Sequence, residues 1–459
     1  MCICVKHFFK NAYIYYSMKL QDIPQRVHFV GVGGIGMSAL AQYLHLTGHT
    51  VTGSDRTSNE QTQALAKLGV RVYIGHNKYN VRDAELVVHT SAVHDDNLEL
   101  TEAKKNGVPV ILREELLGTV FNSFPVRIAV CGTHGKTTVT AMIHQLLASA
   151  KVDHSAFIGG LYNGTNFYFG DNIVVAEACE YNRSFFNLKP TVTVCTNAEY
   201  DHPDCYRSKN AVRRAFKKFL ASTDVNGTVI LPRSLHKLAP DNIPCIYFDD
   251  ALTGEVRFKG GKPRFVASFG KCQQEVKLDI VGRHNVYNAL AALAAGCALN
   301  IPLSDGVVAL ERFTGVDRRW TEYNCRFKCV FDYAHHPTEI ACAVESAKNV
   351  AKGRVICVFQ PHTYTRTKTF FKKFVTCFSG ADIVAYLPIY SAREKPIRGV
   401  NSLRLARLAA KTGLNAKYFA DFKTVSRWLN QVAEPSDLVL ILGAGDIVNL
   451  HSILCPKPV

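Results

Sequence analysis

The residues best suited to chemistry lie in VCGTHGKTTVT, Val130 to Thr140. A loop of this type cradles phosphates with backbone amides, reaches the β- and γ-phosphates with its lysine, and offers a hydroxyl to Mg2+. Here Lys136 and Thr137, followed by Thr138, fill those roles. The loop is compact, because only Thr133 and His134 separate Gly132 from Gly135. Two acidic tips downstream suit the same cation, one at Glu177 and one in NAEYDH, which offers Glu199, Asp201 and His202. Mg2+ takes one or two protein carboxylates beside phosphates and water. Solvated acids capping a helix fit that spacing equally well.

A second phosphate-type turn is GVGGIGMS, with Gly31, Gly33, Gly34 and Gly36. Asp55 ends the next strand, about 20 residues on, as in dinucleotide sites. The turn and the helix amino end behind it favour a diphosphate, and NAD is the usual inference. In GRHNVYNALAALAAG, Asn285 and Asn288 share one helix face, fit either to cap the helix or to meet an adenine edge. FDYAHHPTEI places Asp332, His335 and His336 at a strand end, and FQPHTYTR does the same for His362 and Arg366. An arginine there suits two-pronged capture of a carboxylate.

These groups need a frame that brings strand ends together. RVHFVGVGGIG and VRIAVCGTHGK both read strand, glycine turn, helix. NIVVAEACE, TVTVCTNAEYDH, RVICVFQPH, ADIVAYLPIY and DLVLILGAGD are apolar runs with polar carboxyl ends. That pattern predicts parallel α/β sheets with ligands at the carboxyl ends of the strands. Breaks are expected near NSFPVR and near RRWTEYN. The GAGD turn reads as structural.

The 459 residues suggest about three domains, and no apolar run approaches the roughly 20 residues that span a bilayer. The net charge of +16 suits an anionic partner, but the basic residues are dispersed, which favours phosphorylated small molecules over nucleic acid. The 15 cysteines show no complete metal spacing; Cys325 and Cys329 form a C-x3-C without a second half. A reducing cytoplasm, without a disulfide framework, is the expected setting. MCICVKHFFKNAYIYYSMKL has no continuous apolar core and reads as an N-terminal extension upstream of Met18.

Taken in order, HFVGVGGIGMSALA, GTHGKTT, EACEYNRSF, TNAEYDHPD, GRHNVYNALAA, GVDRRW, DYAHHPTEI, FQPHTYTR, IYSAREKP and LGAGDI resemble the ATP-dependent Mur ligases from about Arg26 to Asn449. The likeness is greatest to the branch that joins L-alanine to UDP-N-acetylmuramate, and EACEYNRSF resembles its Firmicutes form.

The resemblance implies an extension over 1–25 and three domains. These are a Rossmann-like UDP-sugar domain over 26–125, a central ATPase-type parallel sheet over 126–320, and a Rossmann-like amino-acid domain over 321–459. It assigns ATP to Gly132–Thr138, Asn285, Asn288, Arg319 and Asp332, and Mg2+ to Thr137, Glu177 and His202. The UDP-sugar falls to the first glycine turn and Asp55, and the amino acid to His362 and Arg366. It implies an acyl phosphate, then attack by the amine, with His202 or His336 as general base and Lys136 and Arg366 at the reacting centre. A monomer or homodimer is expected. The rival readings are a sister ligase that recycles murein tripeptide and an NAD-dependent oxidoreductase. The first would act on the tripeptide, and the second leaves GTHGKTT unexplained.

Overall fold

The computed structural model describes residues 18–455. Most of the N-terminal extension lies outside them. The strands fall into four sheets. The first sheet holds β1 (Arg26–Val30), β2 (Thr50–Asp55), β3 (Arg71–Ile74), β4 (Leu86–His89) and β5 (Val110–Leu112), in the parallel order β3-β2-β1-β4-β5. This order reverses beside β1, so the loop after β1 opens at the switch point where α/β sheets bind ligands.

The second sheet holds β6 (Val126–Cys131), β7 (His154–Tyr162), β8 (Thr165–Tyr168), β9 (Ile173–Ala178), β10 (Val192–Cys195), β11 (Thr228–Leu231) and β12 (Cys245–Tyr247). Their order is β12-β11-β10-β6-β9-β7-β8. β6 is therefore flanked by β10 and β9, and the phosphate-type loop emerges between their two polar tips. Residues Ile128–Cys131 and all of β10 are buried on both faces, which is why they read as unbroken apolar runs.

β13 (Leu252–Lys259), β14 (Lys262–Phe269) and β15 (Cys272–Lys277) form a separate antiparallel sheet. The last sheet holds β16 (Thr321–Asn324), β17 (Lys328–Asp332), β18 (Val355–Phe359), β19 (Ile383–Tyr386), β20 (Ala416–Tyr418) and β21 (Leu438–Leu442). Its order is β16-β17-β21-β18-β19-β20, with β18 and β21 wholly buried at its centre.

The expected parallel sheets are present, with antiparallel additions: β8 pairs antiparallel with β7, β16 with β17, and β13–β15 are antiparallel throughout. The cause is local. Asn163-Gly164 and Gly260-Gly261 both adopt positive φ at two successive residues, the backbone of a tight hairpin.

By internal packing the chain divides into two units. One runs through Ala198 and adds Arg214–Phe248 and Ala291–Gly306; the other holds Glu199–Arg213, Asp249–Leu290 and the chain from Val307. The first unit thus carries the first two sheets. Tyr43, on the helix Ile35–Leu46, packs its ring against Phe124, Phe157 and Phe167 there. Asn166 donates to the Ile35 carbonyl and the Ser38 hydroxyl.

Candidate active site

In the first unit the compact loop is shaped by the tip of β10. Asn197 accepts a hydrogen bond from the His134 amide at 3.0 Å, and its own amide donates to the His134 carbonyl at 3.0 Å. Thr196 donates to the same carbonyl. His134 is therefore fixed through its backbone in the turn. Gly132 has φ of 139°, and a Cβ there would lie 2.0 Å from the Thr196 hydroxyl. Only glycine fits this approach, which lets two intervening residues close the loop.

Lys136 opens the helix Lys136–Ser149 and folds back over the loop. Its ammonium donates to the Gly132 and Thr133 carbonyls and to Glu180, the last at 2.8 Å. Burial alone would lower its pKa, but the charge of Glu180 overrides this and holds the ammonium above its ordinary range. Thr137 follows, nearly buried in the first turn. Glu177, at the end of β9, also bears on Lys136 electrostatically and accepts from the Gly159 amide at 2.7 Å. Asn182 and Arg183, just beyond Glu180, both hold left-handed backbone, a strain that clusters at working sites.

The first glycine turn is closed more tightly than expected. Asp55 accepts from the Gly33 amide at 2.9 Å, and Asn59 donates to the Gly33 carbonyl. Asp55 thus shapes the turn and holds one of the amides expected to face a diphosphate. Gly36 meets Arg113, whose guanidinium lies 3.2 Å from where a Cβ would stand. Arg113 is a quarter exposed, its nearest acid is Glu114 at 4.0 Å, and its charge also reaches Cys179. The sequence reading missed it, although it opens a helix directly after β5, where a ligand-facing cation belongs.

In the second unit, Asp201 and Arg366 form a buried pair: Nε and Nη2 donate to the two carboxylate oxygens at 2.9 and 3.0 Å. Burial by itself would raise the Asp201 carboxyl, but the Arg366 guanidinium holds it well below the usual range. Asp201, which the sequence offers either as a cation ligand or as a solvated acid, is bonded to an arginine. Arg366 spends its fork on the protein's own carboxylate, since a buried guanidinium needs a permanent counter-ion, and its Nη1 faces His362 Nδ1 at 3.1 Å. Glu199 accepts from the Thr338 hydroxyl at 2.7 Å.

With Nδ1 facing a donor, His362 carries its proton on Nε2. Its ring stacks on Tyr390, and Thr363 between it and Arg366 has φ of 64°. Glu394 accepts from the Thr365 amide at 2.7 Å, so the IYSAREKP segment braces this loop.

His335 donates from Nδ1 to the Tyr333 carbonyl, which leaves a lone pair on Nε2, and burial pushes its pKa down to about 4. His362 is pushed down to about 3, first by burial and then by the charges of His335 and Arg366. His336 has hydrogen-bond partners at both ring nitrogens. Its Nδ1 accepts from the Thr338 amide, capping the helix Pro337–Val350, and its Nε2 faces the Tyr200 carbonyl. Both nitrogens are committed. His202 has φ of 52° and stands 3.8 Å from Asp201.

Asn285 and Asn288 are buried and bonded to each other, and Asn285 also donates to the Val281 carbonyl. Asp332 accepts from the Trp320 and Ala334 amides at 2.9 and 2.8 Å and so organises the turn that carries Arg319. The Arg319 guanidinium lies over the Tyr333 ring. Arg318 and Trp320, on either side, have φ of 65° and 52°.

This order of sheets and tips is matched along the chain by the descriptions Mur ligase family, catalytic domain, over residues 26–125, Mur ligase middle domain over 130–296, and Mur ligase, glutamate ligase domain, over 318–445. The chain belongs to the Mur ligase family. It is similar to the UDP-N-acetylmuramate--L-alanine ligase of Agathobacter rectalis, with 35% identity covering 95% of this chain and 98% of that one. The enzyme of the same name from Acetivibrio thermocellus is 38% identical, over 92% and 94% of the two chains. The solved UDP-N-acetylmuramate-alanine ligase of Thermotoga maritima superposes with a TM-score of 0.78 at 29% identity, covering 94% of this chain and 98% of that one.

Proposed function

We propose that the chain joins L-alanine to the lactyl carboxylate of UDP-N-acetylmuramate at the expense of ATP, releasing ADP and phosphate. The observation that carries this reading is Lys136, held charged over a compact phosphate loop beside Glu177 and Glu180, in a chain whose relatives of that name align almost end to end. Residues 26–125 bind the sugar nucleotide, 126–320 the ATP and 321–459 the amino acid, in the cytoplasm where these substrates are made.

A carboxylate is a poor acyl donor at neutral pH. Phosphorylation by ATP gives it a better leaving group, and the amine of L-alanine then displaces phosphate through a tetrahedral intermediate. Lys136 leaves its carbonyl partners to meet the charge that moves onto the transferred phosphoryl group. The Thr137 hydroxyl and the Glu177 carboxylate are hard oxygen donors on the same unit as that lysine, which fits Mg2+. When bound, the cation neutralises phosphate charge. Asn285 and Asn288 face the adenine. Arg113 and the first glycine turn hold the UDP diphosphate.

His362 presents an Nε2 proton to the alanine carboxylate, steadied by Arg366 and through it by Asp201. His335, neutral at physiological pH, accepts a hydrogen bond from the incoming amine at Nε2. Phosphate release with UDP-N-acetylmuramate, compared across L-alanine, glycine, L-serine and murein tripeptide, tests the reading. Release should depend on the sugar nucleotide and be greatest with L-alanine. No sugar-dependent release with any of them would sink it.

A further inference from the structure

Three cysteines, two of them neighbours in sequence and the third near the end of the chain, meet at the β16–β17 hairpin of the second unit. Cys325, in the turn after β16, is bonded to Cys455, which follows the helix Leu450–Leu454. Their Cα atoms are 4.9 Å apart across a sequence separation of 130, a spacing that a disulfide spans without backbone movement. Cys329, in β17, completes the trio, with all three sulfurs within 4.8 Å of one another. The C-x3-C that lacked a partner in the sequence thus finds one at the end of the chain.

The surroundings decide what such a trio can do. Cys329 is fully buried in an apolar cluster with Phe327, Ile447, Leu450 and Leu454, and Cys325 and Cys455 pack against it half-buried. Burial pushes the Cys329 thiol up to about 12, with no charged group contributing. Three thiolates around a metal ion would place net negative charge in this apolar pocket, whereas a disulfide is neutral. Thiolate, not thiol, attacks a disulfide, so Cys329 stays a bystander and does not reshuffle the bond.

We propose that Cys325 and Cys455 form a reversible covalent clasp, made and broken by exchange with a low-molecular-weight disulfide such as oxidised glutathione. One protein thiolate attacks the small disulfide, releasing one small thiol and leaving a mixed disulfide. The second protein thiolate displaces the other small thiol. The two cysteines lose two protons and two electrons, and one external disulfide becomes two thiols.

The clasp ties down the segment that follows β21. Between β21 and Cys455 lies the GAGD turn, where Gln360 donates to Asp446 at 2.8 Å and accepts from the Ile447 amide at 3.2 Å. A Cβ on Gly445 would lie 2.6 Å from the Gln360 side chain and from Tyr390. Tyr390 in turn stacks on the His362 ring and bridges to its backbone. The helix after that turn is five residues long and marginal by itself, so a covalent anchor at its end matters.

The full-length protein, treated with oxidised glutathione or with dithiothreitol, then alkylated and digested with trypsin without reduction, gives the test. Arg326 and Lys328 separate Cys325 from Cys329, so the two fall on different peptides. The expected result is a linked Cys325–Cys455 peptide in the oxidised sample only, with Cys329 alkylated after denaturation. Oxidation should raise Tm by roughly 5–10 °C, and reduction should reverse it. Cys455→Ser should keep basal activity and lose the response. Free Cys325 and Cys455 after oxidation, linkage of either to Cys329, or stoichiometric zinc on the three thiols would overturn the proposal. A linked peptide with no change in Tm would overturn the anchoring role.

Discussion

Asp201 and Arg366, 165 residues apart, are joined by two parallel hydrogen bonds in a buried setting. The same guanidinium reaches His362, with Nη1 facing Nδ1 at 3.1 Å. Asp201→Ala leaves a buried guanidinium without its counter-ion and should cost about 3–5 kcal/mol of stability, read from urea melts. Asp201→Asn keeps the shape, should cost less, and should raise KM for L-alanine more than KM for ATP. Equal KM values in wild type and Asp201→Asn would remove the link between this pair and the amino-acid site.

Lys136 is shared between its own loop and Glu180. Lys136→Ala should lower kcat by roughly 10²–10³-fold or more, while binding of UDP-N-acetylmuramate, measured by calorimetry, is unchanged. Glu180→Gln removes a charge that competes with the phosphates for the ammonium. It should lower KM for ATP and lower kcat together, because the lysine is freer but less well aimed.

Arg113 is only loosely paired, with Glu114 at 4.0 Å, and a quarter of its side chain is exposed. Arg113→Gln should weaken UDP-N-acetylmuramate by about 10- to 100-fold, the scale of one charge-assisted hydrogen bond, with ATP affinity unaltered. UDP alone should lose affinity in the same proportion. A loss confined to the complete sugar nucleotide would place Arg113 on the sugar instead of the diphosphate.

His335 and His362 have pKa values pushed below the ordinary 6.5, to about 4 and about 3. Between those values and 6.5 the unfolded chain binds more protons than the folded one. Stability is therefore full above about pH 6.5 and falls as the pH drops toward 4, by up to about 1.4 kcal/mol per pH unit for each histidine. Thermal melts from pH 7.5 down to 4.5 should show this slope, and it should shrink in His335→Gln.

Much of this was readable in the chain. VRIAVC followed by GTHGKTT gave strand, loop and helix because a run buried on both faces is apolar throughout and glycines mark the turn. The hairpins were present as Asn163-Gly164 and Gly260-Gly261, but the alternation of apolar strands and helices drew the reading toward parallel sheets. Other features were hidden because they depend on distance in space. Nothing local in EYDHPD shows that Asp201 serves Arg366, or that His336 caps its own helix with one nitrogen and meets the Tyr200 carbonyl with the other. Cys455 gains meaning only beside Cys325.

The most direct test of the account follows the oxygen atoms. UDP-N-acetylmuramate carrying heavy oxygen in both carboxylate positions, incubated with ATP and L-alanine, should transfer one labelled oxygen to the released phosphate and keep the other in the new amide. That result requires an acyl phosphate. Amide product accompanied by unlabelled phosphate would contradict it.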